Sequence, residues 1–190
     1  MIGRRRWLML AFGLIAQAST CLFLYGLPML VPQLRSELDV SLATAGVLVG
    51  APAVGLLLTL VLWGAIADRH GERLVIATGL LLAAGLLLWA ASLHSVAVLG
   101  GALAAAGAAG ASVNAASGRM VLGWFAPSER GLAMGLRQTA QPLGVALAAL
   151  VLPMVAGRWG LGAALLVPAA LCGLVGALVL LFVLDPPRPP

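Results

Sequence analysis

Lysine is absent from this chain of 190 residues, and carboxylates are nearly as scarce, six Asp and Glu against eleven Arg. Charged residues make up 9% of the sequence, where soluble proteins carry about 25%. With 62% hydrophobic residues, the chain cannot cover itself with polar surface, which excludes a soluble domain and makes the bilayer its solvent. Formal net charge is +5, yet the arginines lie between apolar runs and not on one basic face. That excludes nucleic acid as a partner and assigns them to lipid head groups. The two cysteines, Cys21 and Cys172, sit inside apolar runs without metal-ligand spacing, which excludes a metal site and a disulfide framework. No Asp or Glu lies inside a long apolar run, and the two histidines, His70 and His94, fall at the ends of runs. Proton relays commonly use those residue types, so no proton carrier, cofactor or catalytic residue is assigned. An intramembrane enzyme needs a Ser and a His within hydrogen-bond reach deep in the membrane. Ser117 has no such histidine.

What is present is a series of apolar runs. A membrane span takes roughly 20 residues, and six candidates occur, at about 7–31, 41–67, 74–93, 96–125, 131–156 and 161–184. The expectation is an all-α polytopic membrane protein, with residues 1–184 as one six-helix bundle. Arg4-Arg5-Arg6 before an apolar run, with Ala16-Gln17-Ala18 behind it, has the look of a signal peptide. The run continues to Val31, so it reads as an uncleaved first span. The links are short: Pro32–Val40, Asp68–Arg73, His94-Ser95, Ala126–Arg130 and Gly157–Gly160. Ser41, Ser95 and Ser128 are placed to cap the helices that follow. Arg4, Arg5, Arg6, Arg69, Arg73, Arg130 and Arg188 fall on one side of the membrane, and Arg35 and Arg158 on the other. The positive-inside rule then puts both termini in the cytoplasm of an inner (plasma) membrane. Abundant Arg, Ala and Gly without Lys points to a GC-rich bacterial gene.

Shifting the sequence by 89 residues aligns Gly46–Gly71 with Gly135–Gly160 without a gap, matching Gly46, Ala51, Gly55, Leu58, Ala67, Arg69 and Gly71. The shift superposes span two on span five, as two inverted three-helix repeats require. Gly100, Gly101, Gly107, Gly110 and Gly118 make span four a small-residue helix suited to close packing at the bundle centre. Residues 185–190, Asp-Pro-Pro-Arg-Pro-Pro, read as a Pro-rich cytoplasmic tail or the start of a linker.

The hairpin between spans two and three carries Gly64, Asp68, Arg69, Gly71 and Arg73 in the pattern G-x-x-x-D-R-x-G-x-R. This spacing, in that position, resembles the cytoplasmic loop of major facilitator superfamily transporters. Pro127-Ser128-Glu129-Arg130-Gly131-Leu132-Ala133-Met134-Gly135 resembles the superfamily's link between spans four and five. The resemblance implies the N-terminal six-helix half of a secondary transporter that moves a small solute by alternating access. It also implies that the hairpin is a conformational latch between halves. The second half is then either a continuation of the same chain or a partner chain, a homodimer included, in which Asp68 faces the partner's Ser128–Gly131. A non-transporting membrane scaffold or assembly protein is the alternative. Two departures from proton-coupled drug exporters stand out. Leu103 occupies the position of their span-four arginine, and their span-five motif is only partly present in Gln141-Pro142-Leu143-Gly144.

Two arginines fall inside spans, Arg119 and Arg137, at a cost of about 3 kcal/mol each on insertion scales. Arg137, Gln138 and Gln141 share one helical face, and Asn114, Ser117 and Gly118 share another. With Arg119, and with Gln17 and Tyr25 from span one, they are the candidate lining of a polar cavity suited to an anionic group. Ser19 and Thr20 are expected to bond to their own helix backbone.

Overall fold

The chain is all helix. A computed structural model describes the backbone of residues 2–186 and the side chains from Arg5 to Pro186; the side chain of Arg4, and Arg188 with the end of the Pro-rich tail, lie outside what is described. Helix α1 (Ile2–Leu24) passes through a 3-10 turn (Leu27–Leu30) into the short α2 (Val31–Leu38). Then come α3 (Leu42–His70), α4 (Glu72–Ala90), α5 (Val96–Trp124), α6 (Arg130–Gln138) and α7 (Ala140–Phe182). Five helical stretches are long and apolar enough to cross a membrane.

The last of them cannot be one straight rod. Helix α7 has 43 residues and would reach roughly 65 Å, twice the ~30 Å apolar core of a bilayer. Its backbone leaves helical geometry at Gly160 (φ 85, ψ 174), so it consists of two runs, 140–159 and 161–182. That region of φ favours glycine. The new helix start is capped from afar: the Leu161 amide donates to both carboxylate oxygens of Glu37, at 2.9 and 3.0 Å. The start of α4 is built the same way. Gly71 (φ 90) precedes it, and the Arg73 amide donates to Asp185 Oδ1 at 2.8 Å. Gly71 and Gly160 are counterparts under the sequence shift. So are Gly55 and Gly144. A β-carbon on Gly55 would lie 1.8 Å from the Ala104 carbonyl oxygen, and one on Gly144 2.7 Å from that of Ala18. The first run of α7 therefore packs on α1 as α3 packs on α5, which gives the repeat a physical basis.

Contacts sort the ends of the bundle. Arg6 pairs with Glu129, Arg119 with Asp68, and Arg73 with the Leu180 carbonyl; all lie at one end. Glu37, His94 and Leu161 share a small cavity at the other. Helix α5 runs through the middle, with buried residues recurring along it from Leu99 to Val121. Of its glycines, Gly107 is the one that backbone presses on, with a β-carbon there 2.0 Å from the Pro52 carbonyl oxygen. Gly110 meets the Phe23 ring edge at 3.0 Å, Gly100 meets Leu48 at 3.3 Å, Gly118 has looser neighbours, and Gly101 has none within 4 Å. The small-residue run is thus closely packed at three of five places, and against backbone at one.

Several local expectations change. The link 32–40 is largely helical, as α2, because Pro32 suits a first helical turn. It ends at Asp39, which adopts the left-handed conformation (φ 49) that Asp tolerates. Ser41 caps α3 by accepting from the Thr44 amide at 3.1 Å. Ser95 stands at the cap position of α5 without a side-chain bond. Ser128 caps nothing, since Glu129 holds that place and turns its carboxylate to Arg6. The helix before Gly160 continues through Gly157, so that link shrinks to one residue. The Glu37 cap yields a first prediction. Glu37→Ala is expected to destabilise the bundle by about 1 kcal/mol, the usual worth of a side-chain N-cap, seen as a lower melting midpoint in detergent. Glu37→Gln, which keeps an acceptor, is expected to fall between. Equal midpoints for all three proteins would show that the cap contributes nothing.

Candidate functional site

Arg137 is 7% exposed and is the penultimate residue of the nine-residue α6, just before the chain offsets at Thr139 into α7. That offset turns its guanidinium inward between α1 and α5. Nε and Nη2 donate to Ser117 Oγ at 3.1 and 2.8 Å, Nη2 also to Gln17 Oε1 at 3.0 Å, and Nη1 to Gln138 Oε1 at 3.1 Å. Gln17 continues the network through Nε2, which donates to Asn114 Oδ1 at 2.7 Å and lies 3.7 Å from Cys21 Sγ. Ser117 passes its own proton to the Val113 carbonyl at 2.6 Å. Gly118 lies beside the fork, where a β-carbon would sit 3.9 Å from Arg137 Cζ, an ordinary van der Waals contact.

Every partner of Arg137 is neutral. Among the described residues no carboxylate lies within ion-pair distance of it. A buried cation stabilised only by neutral dipoles is costly, and buried charges are ordinarily paired. Among the described residues, Arg137 is therefore a buried cation held by neutral dipoles alone.

The structure brings Gln17, Asn114, Arg137 and Gln138 together, with Ser117 as the hinge of the cluster. Gln141 lies one turn further along on an exposed face of α7. Tyr25 is 45% exposed beyond the end of α1 and makes no side-chain bond into the cluster. Ser19 and Thr20 bond to the carbonyls of Ile15 and Gln17 on their own helix. Arg119 belongs elsewhere. Its Nη1 contacts Asp68 Oδ1, its Nη2 reaches the Gly64 carbonyl at 3.4 Å, and its Nε stands 3.9 Å from Glu72 Oε1.

The hairpin motif thus closes on the chain's own helices. Asp68 pairs with Arg119, and not with a helix N-terminus. Arg73 is turned to the Leu180 carbonyl by Nε at 3.0 Å. Arg69 is exposed and has no ion pair among the described residues. Gly64 does not serve close packing inside this bundle, because a β-carbon there meets nothing within 4 Å. Sequence reasoning missed Glu72, which is buried in the first turn of α4 with Oε2 unpartnered. The available signal was an acid between Gly71 and Arg73 at a helix start, where carboxylates are favoured.

A groove of about 560 Å³ between α3 and α5 is apolar, with Thr44, Val47, Gly50, Val54, Val96 and Gly100 on its walls. It lies away from this chemistry.

Comparison with known proteins follows the same lines. The family model described as Major Facilitator Superfamily matches residues 13–190. An uncharacterised MFS-type transporter of Mycobacterium tuberculosis, found alike in strains CDC 1551 and H37Rv, is 44% identical over 183 residues, or 96% of this chain. The chain spans 41% of the length of these relatives. A bacterial homologue of the human lysosomal transporter Spinster, in an inward-facing, unoccupied conformation, superposes with TM-score 0.83 at 15% identity. That match covers 97% of this chain and 44% of the other. The POT family transporter PepTSo superposes with TM-score 0.77 at 19% identity, over 96% of this chain and 39% of its own. At such identities the likeness is one of fold.

Proposed function

This chain belongs to the major facilitator superfamily, and from that premise we propose that it is the amino-terminal half of a transporter for small organic anions. The observation that carries the reading is Arg137, buried among neutral partners without a carboxylate. A seat of that kind lowers the cost of bringing an anion out of water. The chain crosses the membrane six times, the turn at Gly160 separating the last two crossings. Both termini face the cytoplasm of the cell membrane, the side rich in Arg. The relatives' greater length is consistent with a second six-helix half, and in this reading the solute binds between the halves, near Gln17, Asn114, Arg137 and Gln138. Movement is alternating access, with no covalent step.

Asp68 and Arg119 hold the cytoplasmic ends of α3 and α5 together. In this reading they keep the Asp68–Arg73 hairpin presented to the other half. Asp68→Asn is expected to lower flux at least tenfold while leaving yield and melting midpoint near those of the unmutated protein, since the pair is partly exposed and such pairs add little stability.

The test is uptake of labelled organic anions by proteoliposomes holding the full-length protein. Saturable flux that Arg137→Gln abolishes is the expected result. Saturable flux of cationic or neutral solutes, indifferent to Arg137→Gln, would remove the reading. A stable complex with another protein and no flux at all would favour the scaffold.

A further inference from the structure

The hydrogen bonds around Arg137 point one way, and the direction is set by its charge. A guanidinium only donates. Whatever it touches must turn an oxygen toward it, and it touches the amides of both Gln17 and Gln138 through Oε1. With its oxygen engaged, Gln17 can act on Asn114 only through Nε2, so Asn114 must in turn present Oδ1 to Gln17, at 2.7 Å. Ser117 accepts two bonds from Arg137 and gives its proton to Val113. Its capacity is then full. The amide oxygens thus face inward along the network, toward Arg137 or toward Gln17. What is left at the rim is the NH2 group of Asn114, that of Gln138 and one N–H of Arg137, none of which has a partner among the described residues. Asn114 is half-buried and Gln138 exposed, so these donors face the open side of the cluster.

We infer that the Arg137 network is a donor-only seat, and that it selects a deprotonated carboxylate, with Asn114 and Gln138 as specificity-determining residues. This deepens the anion reading and rests on it. A carboxylate offers acceptors only and needs no acceptor from the protein. The corresponding primary amide or alcohol brings its own donors, which meet only the second lone pairs of Asn114 Oδ1 and Gln138 Oε1, oxygens already turned to Gln17 and Arg137. A site built of hydrogen-bonding groups rejects the mismatched isostere strongly, because buried polar groups are then left unpaired. The network also makes Asn114 asymmetric in a testable way. Its oxygen is structural, holding Gln17, while its nitrogen faces the ligand. Asn114→Asp keeps the acceptor that Gln17 needs and replaces the ligand-facing donor with a carboxylate oxygen.

The probes are benzoate, its planar isostere benzamide, and benzyl alcohol, a smaller neutral analogue with the same ring. Their binding to the purified full-length protein is read by isothermal titration and by the shift in melting midpoint. Benzoate is expected to bind at least tenfold more tightly than either neutral probe. Asn114→Asp is expected to weaken benzoate at least tenfold with the unliganded melting midpoint retained, while Asn114→Ala, which also frees Gln17, lowers that midpoint. Two failures are distinguishable. If benzoate binding depends on Arg137 but benzamide binds equally well, or Asn114→Asp binds benzoate unchanged, the donor-only seat is overturned and the anion site stands. If benzoate does not bind, or binds independently of Arg137, the anion site itself is overturned and the inference falls with it.

Discussion

Arg137→Lys is expected to abolish the proposed anion transport almost as completely as Arg137→Gln, although it keeps the charge. The guanidinium sends separate N–H groups to Ser117, Gln17 and Gln138 from one rigid plane. An ammonium has three donors around a single nitrogen on a flexible stem and cannot reach all three oxygens at their present spacing. Charge-assisted bonds contribute about 1.5–3 kcal/mol each. Losing one and misdirecting another gives about 3 kcal/mol, or roughly a hundredfold in affinity. Gln17 then loses the contact that fixes its orientation, and Asn114 with it. The expected result is a loss of at least a hundredfold in flux per unit of solute in proteoliposomes. The melting midpoint is expected to fall by a few degrees, since orphaned buried acceptors cost about 1–3 kcal/mol. Transport by Arg137→Lys within threefold of the unmutated protein would show that charge alone matters, and that the fork is incidental.

The second large effect is structural. Gly55→Val and Gly107→Val are each expected to eliminate the folded bundle. At both positions the new β-carbon would meet a backbone carbonyl oxygen, at 1.8 Å from Ala104 and 2.0 Å from Pro52. Backbone atoms have no rotamer to escape into, so α3 and α5 must separate by more than an ångström along their whole contact. Water would press two such helices together again, but lipid tails are as apolar as the side chains themselves, and membrane helices associate through close van der Waals packing. The comparison is Gly46→Val and Gly64→Val on the same helix α3, where a β-carbon meets nothing within 4 Å. Fluorescence-detected size-exclusion chromatography in mild detergent is expected to give a single peak for the second pair and aggregate for the first. A normal peak for Gly55→Val would show that the helices pack more loosely than the structure has them.

Reading the residues alone went furthest where position along the chain carried the information. Polar residues inside apolar runs pointed to Gln17, Asn114, Arg137 and Gln138, because the bilayer makes each of them expensive wherever it sits. The shared offset of Gly71 and Gly160 anticipated two backbone turns of one kind. What escaped depends on partners distant in sequence. Arg119 looked like a companion of Arg137, since both lie inside spans, but Asp68 sits closer to it across the bundle. Periodicity gives the face of a helix and leaves its depth and neighbour open. Gly64 has a spacing suited to close approach, yet no helix of this chain approaches it. Glu37, Glu72 and Asp185 looked like loop charges. Two of them close helix starts more than a hundred residues away, and no local pattern encodes such a distance.

Those two closures also bear on how the protein is made. The amide at the start of α4 is satisfied by Asp185, and the amide at the restart of α7 by Glu37. When the ribosome has delivered α3 and α4 to the membrane, the turn at Gly71 still lacks its acid, which arrives 112 residues after Arg73. The early hairpin must therefore wait, its turn hydrated at the membrane surface, until the second run of α7 inserts and brings Asp185 alongside. The motif hairpin reaches the geometry described here only then.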